Sequence, residues 1–193
     1  MREPIWEPEG YVCAFSGHRP PKLPFGSEDD PKCVDLKLRL KKEIHIAVEE
    51  GCTDFLCGMA LGCDTWAAEA VLEVKQALQA YRTVHLRAYL PFPGQDQRWS
   101  AKNRRRYRQI LNGCTTVTYV CETYQPDCMQ KRNRAMIDRA DRLIAVFDGQ
   151  KGGTSETLRM AHEKGIELRI LSPVPPVVSP AAPPDGDPQI KLF

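Results

Sequence analysis

Short apolar runs alternate along the chain with longer stretches in which apolar residues recur every three or four positions. The first pattern predicts strands, the second amphipathic helices. Strands are expected at 11–15, 53–57, 84–90, 116–120, 143–147 and 166–171. Between them lie five helical stretches. The first, 34–50, places Leu36, Leu40, Ile44, Ala47 and Val48 on one face and stops at Gly51. The second opens at Asp64 and carries Ala67, Ala70, Val71, Val74 and Leu78 on one face. The others are a basic helix from about Gln97 to Leu111, a helix over 129–140 with Met129, Met136, Ile137 and Ala140 inward, and one over 154–164 stopped by Gly165.

Strands that alternate with helices build a mostly parallel sheet with helices on both faces. The chain is therefore expected to form a Rossmann-like, three-layer α/β domain over 11–171, preceded by an extension over 1–10. Such sheets take ligands outside the carboxyl ends of their strands. Glycines collect at those ends: Gly17 after the first strand, Gly58 and Gly62 after the second, Gly149, Gly152 and Gly153 after the fifth. Beyond Leu171 the composition shifts to Pro, Ala, Val, Ser and Asp, which predicts an extended tether over 172–193. The Pro-rich segment 20–31 is long for a connection in this fold and reads as a lid or a surface excursion.

Composition narrows the classes of function. The 193 residues suit one domain plus a tail. A net charge of +2 makes no demand for a nucleic-acid partner. The local exception is the run 102–108, with four Arg and one Lys, whose Tyr107 has the chemistry to stack on a base of single-stranded DNA. No apolar stretch is long enough to span a membrane, and residues 1–6 lack the apolar core of a leader, so a cytoplasmic protein is expected. The eight cysteines form no C-x-x-C pair and no zinc set. No metal ligands are assigned, and the cysteines are expected to be reduced, buried thiols.

The loops carry the candidate chemistry. Lys151-Gly152-Gly153-Thr154 opens a helix, where backbone N–H groups, the helix dipole and the Thr hydroxyl can cradle a phosphate. A tight turn with Thr154 as N-cap fits the same residues. Gly58 and Gly62 permit close backbone approach, and Asp64 either caps its helix or accepts from a ligand hydroxyl. Ser16-Gly17-His18-Arg19 offers a planar donor fork for an anion at Arg19 and a candidate acid or base at His18.

Together these loops, with Pro91-Phe92, Gln95, Trp99, Arg132-Asn133, Met136, Asp138 and Asp148-Gly149, resemble the YpsA-like family. That family belongs to the SLOG group, which also holds the DNA-processing protein DprA and the LOG hydrolases. The resemblance covers about 11–171 and implies a nucleotide or another nucleotide-derived, ADP-ribose-like ligand. It assigns no separate cofactor and no reaction. It implies a homo-oligomer, and it puts Gln95 and Trp99 at the ligand mouth. Arg132 falls on an active-site arginine of the LOG pattern, which makes a nucleotide N-glycosidase the alternative, with Arg132 and Glu156 as catalytic candidates. The LOG glutamate position is Thr157 here. Glu156 stands one residue early, turned by about 100° on a helix. The final residues, Gln189, Leu192 and Phe193, resemble the peptide that docks on the sliding clamp of bacterial replication, so a DNA-linked adaptor is a third reading.

Overall fold

The computed structural model describes residues 6–78 and 83–174. Six strands, β1 (Tyr11–Gly17), β2 (Cys52–Cys57), β3 (His85–Leu90), β4 (Thr116–Tyr119), β5 (Arg142–Val146) and β6 (Glu167–Leu171), form one sheet in the order β4-β3-β2-β1-β5-β6. Every neighbouring pair is parallel. The connections are α1 (Pro31–Glu49), α2 (Cys63–Leu78), α3 (Ala101–Gly113), α4 (Cys128–Arg139) and α5 (Gly153–Lys164). The chain winds outward from β1 through β2 and β3 to β4, then crosses back to place β5 on the other side of β1. The winding direction thus reverses between β1 and β5, and this topological switch leaves a crevice at the strands' carboxyl ends.

The period of two in the strands sorts the core into two layers. Cys13, Phe15, Phe55, Cys57, Leu86, Ala88, Ile144 and Val146 face α1, α2 and α3. Val12, Ala14, Leu56, Tyr89, Leu143 and Ala145 face α4 and α5. The expected inner face of α1 is buried throughout, and so are Ala67, Ala70, Val71 and Val74 of α2. Each large apolar side chain so buried stabilises the fold by roughly 1.5–3 kcal/mol.

The helix starts differ from the sequence expectation where polar caps override apolar spacing. Helix α1 begins at Pro31 because Asp30 Oδ1 accepts from Lys32 N–H at 2.9 Å and proline suits the first helical position. Helix α3 begins at Ala101 because Ser100 Oγ accepts from Asn103 N–H at 3.2 Å. Residues 97–99, expected to open that helix, form a turn and a bend instead. The segment 20–31 is packed down. Leu23 is buried, Phe25 lies against Trp66 at 6.2 Å, and Glu28 ties the segment to α1 and α3.

The eight thiols are free; all are buried except Cys114, which is half-buried. Burial raises the Cys57 thiol well above its ordinary range. It donates to Asp64 C=O at 3.2 Å and behaves as a small apolar residue with one weak donor.

Candidate functional site

The crevice at the switch point holds a cavity of about 390 Å³. Four segments wall it: the end of β1 with Ser16, Gly17, His18 and Arg19; the start of α2 with Asp64; the middle of α4 with Arg132 and Asn133; and the start of α5 with Gly152, Gly153 and Thr154. These residues are far apart in sequence and were all singled out there. Lys22, Ala60 and Met129 join them without having been expected. Lys22 lies beside Gly152, and its ammonium donates to Lys151 C=O at 3.4 Å. Its signal was weak, a lone cation after two prolines and three residues past Arg19.

Two glycines have a specific steric task. A Cβ on Gly58 would sit 1.4 Å from Arg132 Nη1, so the guanidinium occupies the space that glycine leaves. Gly62 has φ +91° and faces His18 C=O, with 2.8 Å to an added Cβ. Any other residue there would meet both backbone strain and a clash.

Buried charge defines the chemistry. The side chains of Arg132 and Asp64 are each 7% exposed, and Arg132 Nη1 stands 3.7 Å from Asp64 Oδ2. That is ion-pair range but too long for a hydrogen bond. Arg132 Nε and Nη1 are buried and find no hydrogen-bond partner. Burial lowers the guanidinium below its ordinary range, while the Asp64 carboxylate pulls the other way. Burial raises the Asp64 carboxyl, opposed by Arg132, the Ala60 N–H and Arg19. Asp64 Oδ2 accepts from that N–H at 3.2 Å, so Asp64 fastens the loop before α2 rather than serving as its N-cap.

On the β1 side, buried His18 shares a 2.7 Å contact between Nε2 and Asp148 Oδ1. The Gln150 N–H, followed by His18, holds the Asp148 carboxyl below its ordinary range. Asp148 therefore backs the cavity through His18. On the α5 side, Ser155 Oγ accepts from Gly152 N–H at 2.9 Å and closes the turn, so Thr154 is not the cap but a buried residue of the first helical turn.

The remaining candidates lie elsewhere. Gln95 Nε2 donates to Met59 C=O at 3.3 Å and to Tyr107 Oη at 3.2 Å, joining two loops to α3. Trp99 packs edge-on against Tyr107 at 5.2 Å. Neither lines the cavity. Tyr107 is itself buried, its hydroxyl pushed up to about 12 by desolvation, so it does not offer a stacking face. Glu156 is half exposed on α5, pairs with Arg159 at 3.1 Å, and lines a shallow neighbouring groove. Thr157 is buried, donates to Gly153 C=O at 2.8 Å and accepts from Asn133 Nδ2 at 2.9 Å. The LOG glutamate position is thus taken by a link between α4 and α5. Gln189, Leu192 and Phe193 lie outside the described residues. Among the described residues, no three His, Cys, Asp or Glu side chains converge as metal ligands, and no helix is long and apolar enough to cross a membrane.

A parallel sheet wound about a switch point, with glycine loops around a charged crevice, is the architecture of a Rossmann-like α/β domain. Residues 13–168 match the YpsA model of the YspA SLOG family, and the chain belongs to that family. It is 29% identical over 162 residues to a UPF0398 protein of Bacillus pumilus, covering 83% of this chain and 86% of the relative. A UPF0398 protein of Bacillus thuringiensis (strain Al Hakam) is 29% identical over 159 residues, covering 81% and 85%. The fold is similar to DNA processing protein A of Helicobacter pylori, a protein described for its single-stranded DNA binding mode. That match has a TM-score of 0.56 and 19% identity, and it covers 83% of this chain and 65% of that one. It is also similar to DNA processing protein A of Streptococcus pneumoniae, with a TM-score of 0.54, 20% identity, and coverage of 83% and 50%.

Proposed function

We propose that the protein binds a nucleotide or nucleotide-derived ligand of the ADP-ribose kind in the cavity between β1, α2, α4 and α5. The observation that carries this reading is Arg132, a buried cation on the cavity wall with two guanidinium nitrogens lacking partners. Burying a charge without its full set of hydrogen bonds costs several kcal/mol, and such costs collect at sites that a ligand completes. The start of α5 supports the reading. Its first N–H groups have no intrahelical partner, and Lys22 and Arg19 stand on the same rim, which favours a phosphate there.

Thermal unfolding in the presence of nucleoside mono- and diphosphates, NAD and ADP-ribose tests it. A ligand at 100 times its Kd adds about 2.7 kcal/mol, a rise of several degrees in Tm. If no phosphate-bearing nucleotide raises Tm, the reading is wrong.

Asp64 favours a second reading, a nucleotide N-glycosidase, because it brings a carboxylate to the cavity wall beside Arg132. Such a reaction needs a carboxylate to stabilise an oxocarbenium-like centre or to orient water. Free base released from nucleoside monophosphates or NAD, and abolished in Asp64→Asn, would establish it. Single-stranded DNA, the ligand of the Helicobacter pylori protein, has less to meet here, since Arg106 of the basic helix is held by Glu28 and Glu69.

A further inference from the structure

We infer that His18, backed by Asp148, is an acceptor seat on the cavity wall that takes a hydroxyl or amine of a phosphate-bearing ligand. This rests on the nucleotide reading above and adds a contact to it. His18 is only 4% exposed, and its two ring nitrogens have different surroundings. Nε2 stands 2.7 Å from Asp148 Oδ1, and Asp148 does not line the cavity. Among the described residues Nδ1 has no hydrogen-bond partner, yet it is not one of the sealed, unpartnered nitrogens. It therefore keeps open surface, and the space that His18 borders is the cavity. Asp148 decides what Nδ1 does there. The Gln150 N–H, bonded to Oδ1 at 3.0 Å, holds this carboxyl below its ordinary range, so it has no proton of its own to share. The hydrogen between the two side chains belongs to Nε2, and in the neutral ring Nδ1 is then an acceptor.

The rest of the wall makes such an acceptor selective. Arg19, Lys22 and the start of α5 offer donors. The charged acceptor on the wall, Asp64, already holds the Ala60 N–H on Oδ2 and lies beside Arg132. An ionised phosphate group offers acceptors only. Alone it meets the donors and leaves Nδ1 bare. A ligand that also carries a hydroxyl or an amine meets both. A nucleotide has each, on its sugar and on a base such as adenine. The ring is also held before any ligand arrives. The His18 C=O accepts from Cys63 N–H at 3.4 Å, and the Phe147 ring lies 6.1 Å away. An acceptor fixed in this way needs little ordering on binding, which favours discrimination.

Two measurements on the full chain test this, and the first needs no ligand. Heteronuclear NMR of the histidine side chains, taken across about pH 5–8 where histidine changes charge, reports which ring nitrogen carries the proton. Replacing His45, His85 and His162 by Gln in turn assigns the His18 signals. The neutral ring of His18 is expected with its proton on Nε2. A proton on Nδ1 throughout, alone or with one on Nε2, overturns the seat and leaves the nucleotide reading intact. The second is isothermal titration with adenosine 5′-monophosphate, its 2′-deoxy and 3′-deoxy counterparts, and purine riboside 5′-monophosphate, which lacks the amine. At least one of these three analogues is expected to bind about tenfold more weakly than the parent, the loss for a buried acceptor left unpaired. A weak deoxy compound marks the sugar as the donor, a weak purine riboside the base. In His18→Phe, which keeps a ring but no acceptor, that analogue and the parent should bind alike. Equal affinities of all four in the wild type overturn the seat, as does a difference that survives in His18→Phe. Should that variant not fold, the wild-type Nδ1 signal decides: it must shift with the parent and stay in place with the weak analogue. Failure of all four compounds to bind removes the seat; failure of every nucleotide in the thermal screen removes the wider reading with it.

Discussion

Two sets of buried arginines sit at opposite ends of one sheet, and they are treated in opposite ways. Toward the amino ends of the strands, Arg87 Nε meets Asp54 Oδ1 at 2.6 Å, and its guanidinium stacks over Trp6 at 3.8 Å. Arg142 reaches Glu50 at 2.5 Å and Glu167 at 2.6 Å, with the Tyr11 ring beside it at 5.4 Å. At the carboxyl ends, Arg132 has one carboxylate nearby, at 3.7 Å, and two nitrogens without partners. At the first end each guanidinium has at least one carboxylate at hydrogen-bonding distance, although Arg142 Nη1 is itself buried without a hydrogen-bond partner. The second keeps charge out of water and open to a cavity. Electrostatics worth having inside a protein need either internal partners or an external one. Under the function proposed above, the difference separates an end of the sheet held by its own ion pairs from the end that would receive the ligand.

Breaking the closed end should cost most. Asp54→Ala leaves Arg87, 8% exposed, without its counter-ion and is expected to lower stability by about 3–5 kcal/mol in urea unfolding. A loss under 1 kcal/mol would mean that the Trp6 contact alone holds the guanidinium. The open end responds more weakly but more specifically. Gly58→Ala forces a Cβ onto Arg132 Nη1, so a loss of about 1–3 kcal/mol is expected together with loss of nucleotide binding. Retained binding in that variant would show that the position of Arg132 is immaterial.

Replacing the open pair altogether sets the two ends further apart. Arg132→Met combined with Asp64→Asn removes two incompletely satisfied charges at similar volume. Its stability should match or exceed wild type, by roughly 1 kcal/mol, while binding is abolished. The same exchange at Arg87 and Asp54 has no such gain waiting, because those groups already meet at hydrogen-bonding distance. A destabilised double variant would place Arg132 among the structural arginines.

The fold was legible because periodicity carries it. Val12 to Phe15 and Leu143 to Val146 are apolar on both faces, the mark of a strand buried between helix layers. Helix starts were less legible, since Asp30 and Ser100 act through polar caps that apolar spacing does not record. The site divides in the same manner. Gly17, Asp64 and Gly153 stand where strands end and helices begin, so topology gathers them, while Arg132 comes from the middle of α4 and fills the space that Gly58 leaves. Gln95 and Trp99 also follow a strand, but β3 lies two strands away from β1, and turns send them to pack with Tyr107. Lys22 was missed because a cation in a Pro-rich segment has no periodicity, and only the packing of Leu23 and Phe25 turns it toward α5.

Glu156 gives the finest test, and the smallest expected effect. In sequence it stands one residue from the glutamate position of the LOG pattern, and in space it stands outside the cavity, paired with Arg159 on the surface of α5. A half-exposed pair of this kind contributes about 0.2–0.5 kcal/mol. Glu156→Ala should therefore change Tm by at most about one degree and leave nucleotide affinity untouched. Any base release from a nucleotide should also be unchanged, because the carboxylate on the cavity wall is Asp64. If Glu156→Ala instead lowered that rate tenfold or more, α5 would have to turn by about one residue on ligand binding to bring the side chain inward. That turn would break the Thr157 to Gly153 and Asn133 to Thr157 hydrogen bonds that now fix α5 against α4. The measurement thus separates a cavity ready for its ligand from one that the ligand must first rebuild.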